Sequence, residues 1–246
     1  MTLIFIRHGE PDYVHDSLTA KGFEEAELLS DALVKLPIDA IYVSPLGRAK
    51  ATARATLERK NAMAILTPWL TEFTYGIPRK DMAPSLGLCW DWCPKDWEAE
   101  PKYFDKDQWC HTPVMIQGGI PQMAEKVYEG FDAELAKYGY VREGLTYKVV
   151  EESRQTLCFF GHFGTNNLLI AHLLNISPMV LWHDFIMAPS SITVLHTEER
   201  EKGIASFRLE VYGGIGHLTN KNIEPSFAGR FCECFTDKTR HDNFGN

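Results

Sequence analysis

The sequence predicts an α/β protein: three layers, α/β/α, with a mostly parallel sheet between the helices. Three observations predict it. Strand-like and helix-like stretches alternate β-α-β-α-β from Leu3 to Thr67, the order of a parallel sheet with crossover helices. The run Leu3-Ile4-Phe5-Ile6 has no polar residue and ends in Arg7-His8-Gly9-Glu10. A second buried run, Thr156 to Phe160, likewise ends beside glycine and histidine, at Gly161-His162. Parallel strands carry both ends to one edge of the sheet, where open α/β sheets bind ligands.

Taken in order, Leu3–Ile6 reads as a short buried strand because its residues are apolar, β-branched or aromatic. The polar stretch Pro11 to Ser17 is a turn. Thr19 is a good N-cap for a helix running to about Lys35. Its Leu28, Leu29, Ala32, Leu33 and Leu36 recur at helical spacing, and Glu24, Glu25 and Glu27 lie early, where the helix dipole favours them. Pro37 stops it. Ala40–Val43 is the second strand. Ser44-Pro45 reads as N-cap and first helical residue of a helix from Leu46 to about Arg59. Ala64–Thr67 is the third strand.

The pattern then breaks. Tyr75 to Pro121 has little periodicity but is crowded with prolines, cysteines and Trp90, Trp92, Trp97 and Trp109. So much tryptophan argues for folded structure. It is expected to be an aromatic-rich insertion, or lid, over the active face; a satellite hydrophobic cluster with no ligand is the other reading. From Pro121, Met123, Val127, Phe131, Leu135 and Tyr138 mark one face of a helix ending near Gly139. A short extended piece at Tyr147–Val150 leads into the strand at Thr156 and a helix from Asn166 to Leu174. Ser191–His196 and Ala205–Tyr212 read as two strands around a charged turn, Thr197 to Gly203. The tail from Asn220 to Asn246 is weakly patterned and expected to be partly mobile. Residues 1–246 thus form a single domain with an insertion at about 75–121 and a tail at about 220–246.

A 246-residue chain can bury a full core, and 45% hydrophobic with 24% charged residues is the balance of a soluble globular protein. The net charge of −8 argues against nucleic-acid binding, although local arginines can still hold a small anion. No run is long enough to span a membrane and no signal-peptide pattern opens the chain, so no membrane partner and a cytoplasmic location are expected. The six cysteines read as free thiols. Cys89, Cys93, Cys110 and His111 match no compact zinc spacing.

The residue types at the two strand ends suit a phosphoryl group. Arg7 is an always-charged clamp; His8 can attack phosphorus or donate to its oxygens. Gly9 permits a tight turn and would bring backbone N–H groups near a ligand. Arg48 falls in the first turn of its helix, where a cation opposes the dipole unless an anion is held there; alone, it could equally face water. Glu72, among apolar and aromatic neighbours, can have a raised pKa and act as a general acid, though most glutamates are surface residues.

Together these stretches resemble the histidine phosphatase superfamily, the phosphoglycerate-mutase-like fold. Arg7-His8-Gly9-Glu10 follows an N-terminal strand as in that family. Leu18-Thr19-Ala20-Lys21-Gly22 is similar to its Leu-Thr-x-x-Gly helix start, and Ser44 to Ala53 to its Ser-x-Leu-x-Arg-Ala-x-x-Thr-Ala helix. Leu70-Thr71-Glu72 through Gly76 resembles its acidic segment, and Gly161-His162 its second histidine. The resemblance covers roughly residues 2 to 76 and 155 to 212. It implies a hydrolase acting through a phosphohistidine on His8, with Arg7, Arg48 and His162 clamping the phosphoryl oxygens. Glu72 would protonate the leaving group and then deprotonate water. It implies a small phosphorylated substrate and neither metal nor organic cofactor.

Three departures stand out. Pro11 and Val14 replace a hydroxyl residue and an asparagine that touch phosphate in many members, leaving Asp12 or the backbone to substitute. Phe163 follows the second histidine where glycine is usual. Ile77-Pro78-Arg79-Lys80-Asp81 matches poorly the arginine-rich segment of the mutase branch. Hydrolysis is therefore favoured over phosphoglycerate-mutase-like transfer, with a catalytically weak phosphate-binding protein as the third possibility. The substrate's identity and the oligomeric state are left open.

Overall fold

The computed structural model describes residues 1–79 and 86–237. Lys80 and Asp81 of the mutase comparison, and the tail beyond residue 237, lie outside the described residues. The N-terminal part runs β1 (Thr2–Arg7), β2 (Pro11–Asp12), β3 (Ser17–Leu18), α1 (Ala20–Leu33), β4 (Ala40–Val43), α2 (Gly47–Lys60) and β5 (Ala64–Leu66). The tryptophan-rich segment holds β6 (Gly76–Ile77), β7 (Gly87–Leu88), α3 (Pro94–Trp97) and α4 (Pro113–Gln117). Then come α5 (Ile120–Ala136), β8 (Tyr140–Glu143), β9 (Thr146–Val149), β10 (Thr156–Gly161), α6 (Phe163–Leu174) and α7 (Pro178–Asp184). The last elements are β11 (Ile192–Glu201), β12 (Ile204–Gly214) and α8 (Gly216–Thr219).

Eight strands form one sheet in the order β5-β4-β10-β1-β11-β12-β9-β8. The expected parallel arrangement holds from β5 to β1; beyond β1 every pairing is antiparallel, so the sheet as a whole is mixed. Alternation along β1 explains its central place, because successive side chains point to opposite faces. Leu3 and Phe5 join a core with Phe131 and Leu135 of α5 and Leu168 and Leu169 of α6. Ile4 and Ile6 join Leu29 and Leu33 of α1 and Ala53 of α2 on the other face. Helices therefore cover both sides. Phe159 sits at the middle of the first core, stacked on Phe5 at 5.2 Å and Tyr42 at 4.8 Å.

Several local expectations change. Ser44 is not the N-cap of α2; the helix starts two residues later, after Leu46, and the Ser44 hydroxyl accepts the Leu46 N–H at 3.3 Å and is also used elsewhere. Thr197 to Glu201 is strand rather than turn. This hairpin carries charges because its strands pair them across the ladder, His196 with Glu210 and Arg208 with Glu198. The tail segment at Ser226 and Ala228 is tied down: Ser226 N–H donates to Glu25 and Ala228 O accepts from Arg7. Among the described residues no helix is long and apolar enough to cross a membrane.

Candidate active site

β1 and β10 lie in parallel register with Arg7 opposite Gly161, so the next residue of each strand stands at the same sheet edge. Those residues are His8 and His162. Their rings lie 5.2 Å apart between centroids and 57° from parallel, and both are buried. The two rings are held differently. His8 Nδ1 donates to Gly9 O at 2.7 Å; a carbonyl only accepts, so Nε2 keeps its lone pair. His162 instead has Nε2 2.7 Å from Ser44 Oγ, while its buried Nδ1 meets no partner among the described residues. Burial pushes the pKa of His8 well below its ordinary value, and Arg7 and Arg48 push it further against the Gly9 bond. For His162 burial again acts first, followed by His8, Arg48 and Arg7. Both imidazoles are therefore neutral.

Arg7 ends β1, next to His8. Its Nη1 donates to Met187 O at 2.6 Å, its Nη2 reaches Ala228 O at 3.5 Å, and its guanidinium lies 5.3 Å from the centre of the Phe163 ring. Arg48, in the first turn of α2, is nearly buried. It donates to Asp16 Oδ1 at 2.8 Å and sits over the Tyr13 ring at 5.5 Å. The other Asp16 oxygen accepts the Gly47 N–H at 2.5 Å, so a carboxylate already engages the helix start and its arginine. Burial works to raise the pKa of Asp16, but the Gly47 N–H and Arg48 outweigh it and the net shift is downward.

Glu72 comes from the loop after β5. Its Oε1 accepts two backbone N–H groups, from Phe73 at 2.8 Å and from Thr165 of α6 at 3.2 Å. Burial raises its pKa, opposed by the Phe73 N–H and by the charges of Arg48 and Arg7. Burial thus favours the protonated carboxyl in a site whose N–H groups and arginines favour anions.

The fold thus brings Arg7, His8, Arg48, Glu72 and His162 together at one sheet edge. Gly9 differs from its expected role. Its N–H donates to Thr52 Oγ1 at 3.0 Å rather than facing a ligand. Its lack of a side chain matters for packing, since a Cβ there would lie 2.7 Å from Gly22 O. Val14 points to solvent and the Asp12 carboxylate serves its own turn and His15, so neither replaces the missing phosphate contacts. Sequence patterning does not pick out Asp16 or Ala228, and it reads Ser44 as a helix cap rather than as a site residue. For Asp16 the only signal is a charge opposite to that of Arg48, 32 residues away. Among the described residues no group of three or more His, Cys, Asp or Glu side chains is placed to hold a metal, and Cys89 and Cys110 are core residues.

Comparison with known proteins finds similar phosphatases. The sequence model of the histidine phosphatase superfamily (branch 1) matches residues 3–112, a range that runs on through most of the tryptophan-rich segment. The adenosylcobalamin/alpha-ribazole phosphatase of Salmonella typhimurium is 26% identical over 196 residues, 74% of this chain and 84% of that protein. Phosphoserine phosphatase 1 of Hydrogenobacter thermophilus is 23% identical over 221 residues, covering 86% and 94% of the two chains. The crystal structure of phosphoserine phosphatase from Entamoeba histolytica with 3-phosphoglyceric acid shares the fold, with a TM-score of 0.59. That match has 20% identity and covers 88% of this chain and 98% of the other.

Proposed function

From its kinship with the histidine phosphatase superfamily, seen in residues 3–112 and in the shared fold, we propose that this chain hydrolyses small phosphomonoesters through a phosphohistidine on His8. The observation that carries this reading is the pairing of a neutral His8, its proton held on Nδ1 by Gly9, with a raised-pKa carboxyl at Glu72. His8 Nε2 attacks phosphorus as the ester P–O bond breaks. Glu72 gives its proton to the departing oxygen. The resulting carboxylate then takes a proton from water, whose oxygen attacks the phosphohistidine; inorganic phosphate leaves and the Nε2 lone pair returns. Arg7 and Arg48 stabilise the charge on the equatorial oxygens, and charge stabilisation is most of what phosphoryl transfer asks of a protein. Ser44 O–H donating to His162 Nε2 would leave Nδ1–H as a further donor to phosphate. Asp16 and the substrate would share Arg48, with the second guanidinium nitrogen and Nε serving the phosphoryl group.

Relatives act on alpha-ribazole and phosphoserine phosphates by name, so a soluble metabolite of that size is the substrate class adopted here. The Trp90 side of the tryptophan-rich segment covers the active face in this reading. Mutase chemistry is disfavoured because Arg79 is buried, donating to Leu88 O and lying over Trp92, instead of being presented to a second anionic group. A cytoplasmic location fits six free thiols, two of them well exposed. The deciding experiment is phosphate release from a panel of phosphorylated metabolites, with rapid acid-free quenching to trap a phosphohistidine. Release by wild type and none by His8→Ala is expected. Persistent release by His8→Ala would sink the assignment.

A further inference from the structure

We propose that Trp90, from the tryptophan-rich segment, is a positioning residue for the acid–base carboxyl of Glu72; this rests on the phosphatase reading above. Three contacts lead there. The indole Nε1 of Trp90 donates to Phe73 O at 2.5 Å, and the N–H of the same Phe73 donates to Glu72 Oε1 at 2.8 Å. One residue therefore joins the indole to the acid. Gly164, at the start of α6, marks how close they come: a Cβ there would lie 2.7 Å from Glu72 Oε1 and 2.8 Å from Trp90 Nε1. Finally, the Trp90 ring meets Phe163 edge-on at 5.5 Å, and Phe163 carries the guanidinium of Arg7 on its face.

The chemistry of this wedge is twofold. Gripping Phe73 at its carbonyl holds the peptide so that its N–H stays on Oε1, and among the described residues no hydrogen bond reaches Oε2. The proton to be delivered is thereby assigned to Oε2. The indole also takes space that water would fill beside the carboxyl, and a carboxyl kept from water holds its proton to higher pH. The charged groups facing Glu72 are the guanidiniums of Arg7 on β1 and Arg48 on α2. The Cys89 thiol beside it is held neutral by burial, as are His8 and His162. Trp90 adds no charge, so its removal changes hydration and aim and leaves the electrostatic frame standing.

The test compares Trp90→Ala and Trp90→Phe with wild type on an alkyl phosphate and on p-nitrophenyl phosphate, whose leaving group needs little protonation. Trp90→Ala is expected to lower kcat for the alkyl phosphate about a hundredfold and for p-nitrophenyl phosphate under about threefold. Its basic pH limb should move to lower pH, because a hydrated carboxyl ionises earlier. Trp90→Phe keeps the apolar face and loses only the N–H, so the limb stays and the alkyl rate falls by roughly tenfold. Vanadate inhibition should be unchanged in both. Equal losses on the two substrates, an unmoved limb in Trp90→Ala, or vanadate affinity falling in step with rate would each overturn the proposal. If Trp90→Ala does not fold, Trp90→Phe decides by the same substrate ratio. An active His8→Ala defeats the phosphatase reading itself; an inactive His8→Ala with no substrate discrimination at Trp90 defeats only the positioning role.

Discussion

The ends of β1 and β10 carry the same residue at the same edge of the same sheet, yet they present opposite faces of the imidazole. At β1 the neighbouring carbonyl takes Nδ1 and leaves Nε2 bare; at β10 a serine from the loop after β4 takes Nε2 and leaves Nδ1. Burial keeps both neutral. In the proposed phosphatase mechanism, what separates a nucleophile from an anion donor is therefore the single hydrogen bond on the far nitrogen.

The sharpest way to break this comparison is to remove each ring in turn. His8→Ala should abolish turnover, a loss of at least about a thousandfold, and should give no labelled phosphoprotein after brief exposure to labelled substrate. His162→Ala should cost about a hundredfold, the usual loss for one charge-stabilising donor, and still yield labelled protein. A label on His162 in the His8 variant would reverse the roles. Glu72→Gln should slow alkyl phosphates about a hundredfold and p-nitrophenyl phosphate much less. It should also remove the basic limb: the acid works only while protonated, so wild-type rate falls as pH rises through its raised pKa, and glutamine has no proton to lose. Ser44→Ala leaves both rings in place and frees His162 Nε2. Losing that one hydrogen bond, worth about 1 kcal/mol, should raise KM roughly fivefold with little change in kcat.

The smallest effect is on stability. Both histidines have folded pKa values below their ordinary 6.5. The unfolded chain thus takes up protons that the folded chain refuses, and the stabilisation present above pH 6.5 is lost as pH falls below it. Melting temperature should drop on acidification by about 2–4 °C for each kcal/mol lost. His183 and His217, each lowered to about 4, act in the same direction. His162→Asn should make the slope of Tm against pH shallower; identical slopes would mean the ring is not held neutral.

Much of this arrangement could be read from the sequence, for a physical reason. β1 and β10 are buried on both faces, so each is written as an unbroken apolar run, and the polar residue that ends the run marks where the sheet edge begins. Arg7, His8 and His162 stand at those marks. Asp16 and Ser44 could not be found that way. Each matters through a partner 32 or 118 residues distant, and a short polar residue in a turn looks the same whether it faces water or a guanidinium. The reading of Ser44 as a cap failed on this point: its local role was plausible and its tertiary role prevailed. The charged stretch at Thr197–Glu201 failed differently, because an exposed strand may carry charge on its open face.

β1 lies between β10 and β11, and among the described residues no other strand pairs with it. Along the sequence its ladder partners begin only at residues 156 and 192, so both pairings close long loops. Folding is consequently a late event governed by distant pairing, and slow for the chain's size. Until both pairings form, an apolar sheet-forming segment lies open to mispairing. The sheet edge that carries Arg7, His8 and His162 is therefore assembled only when those distant pairings close.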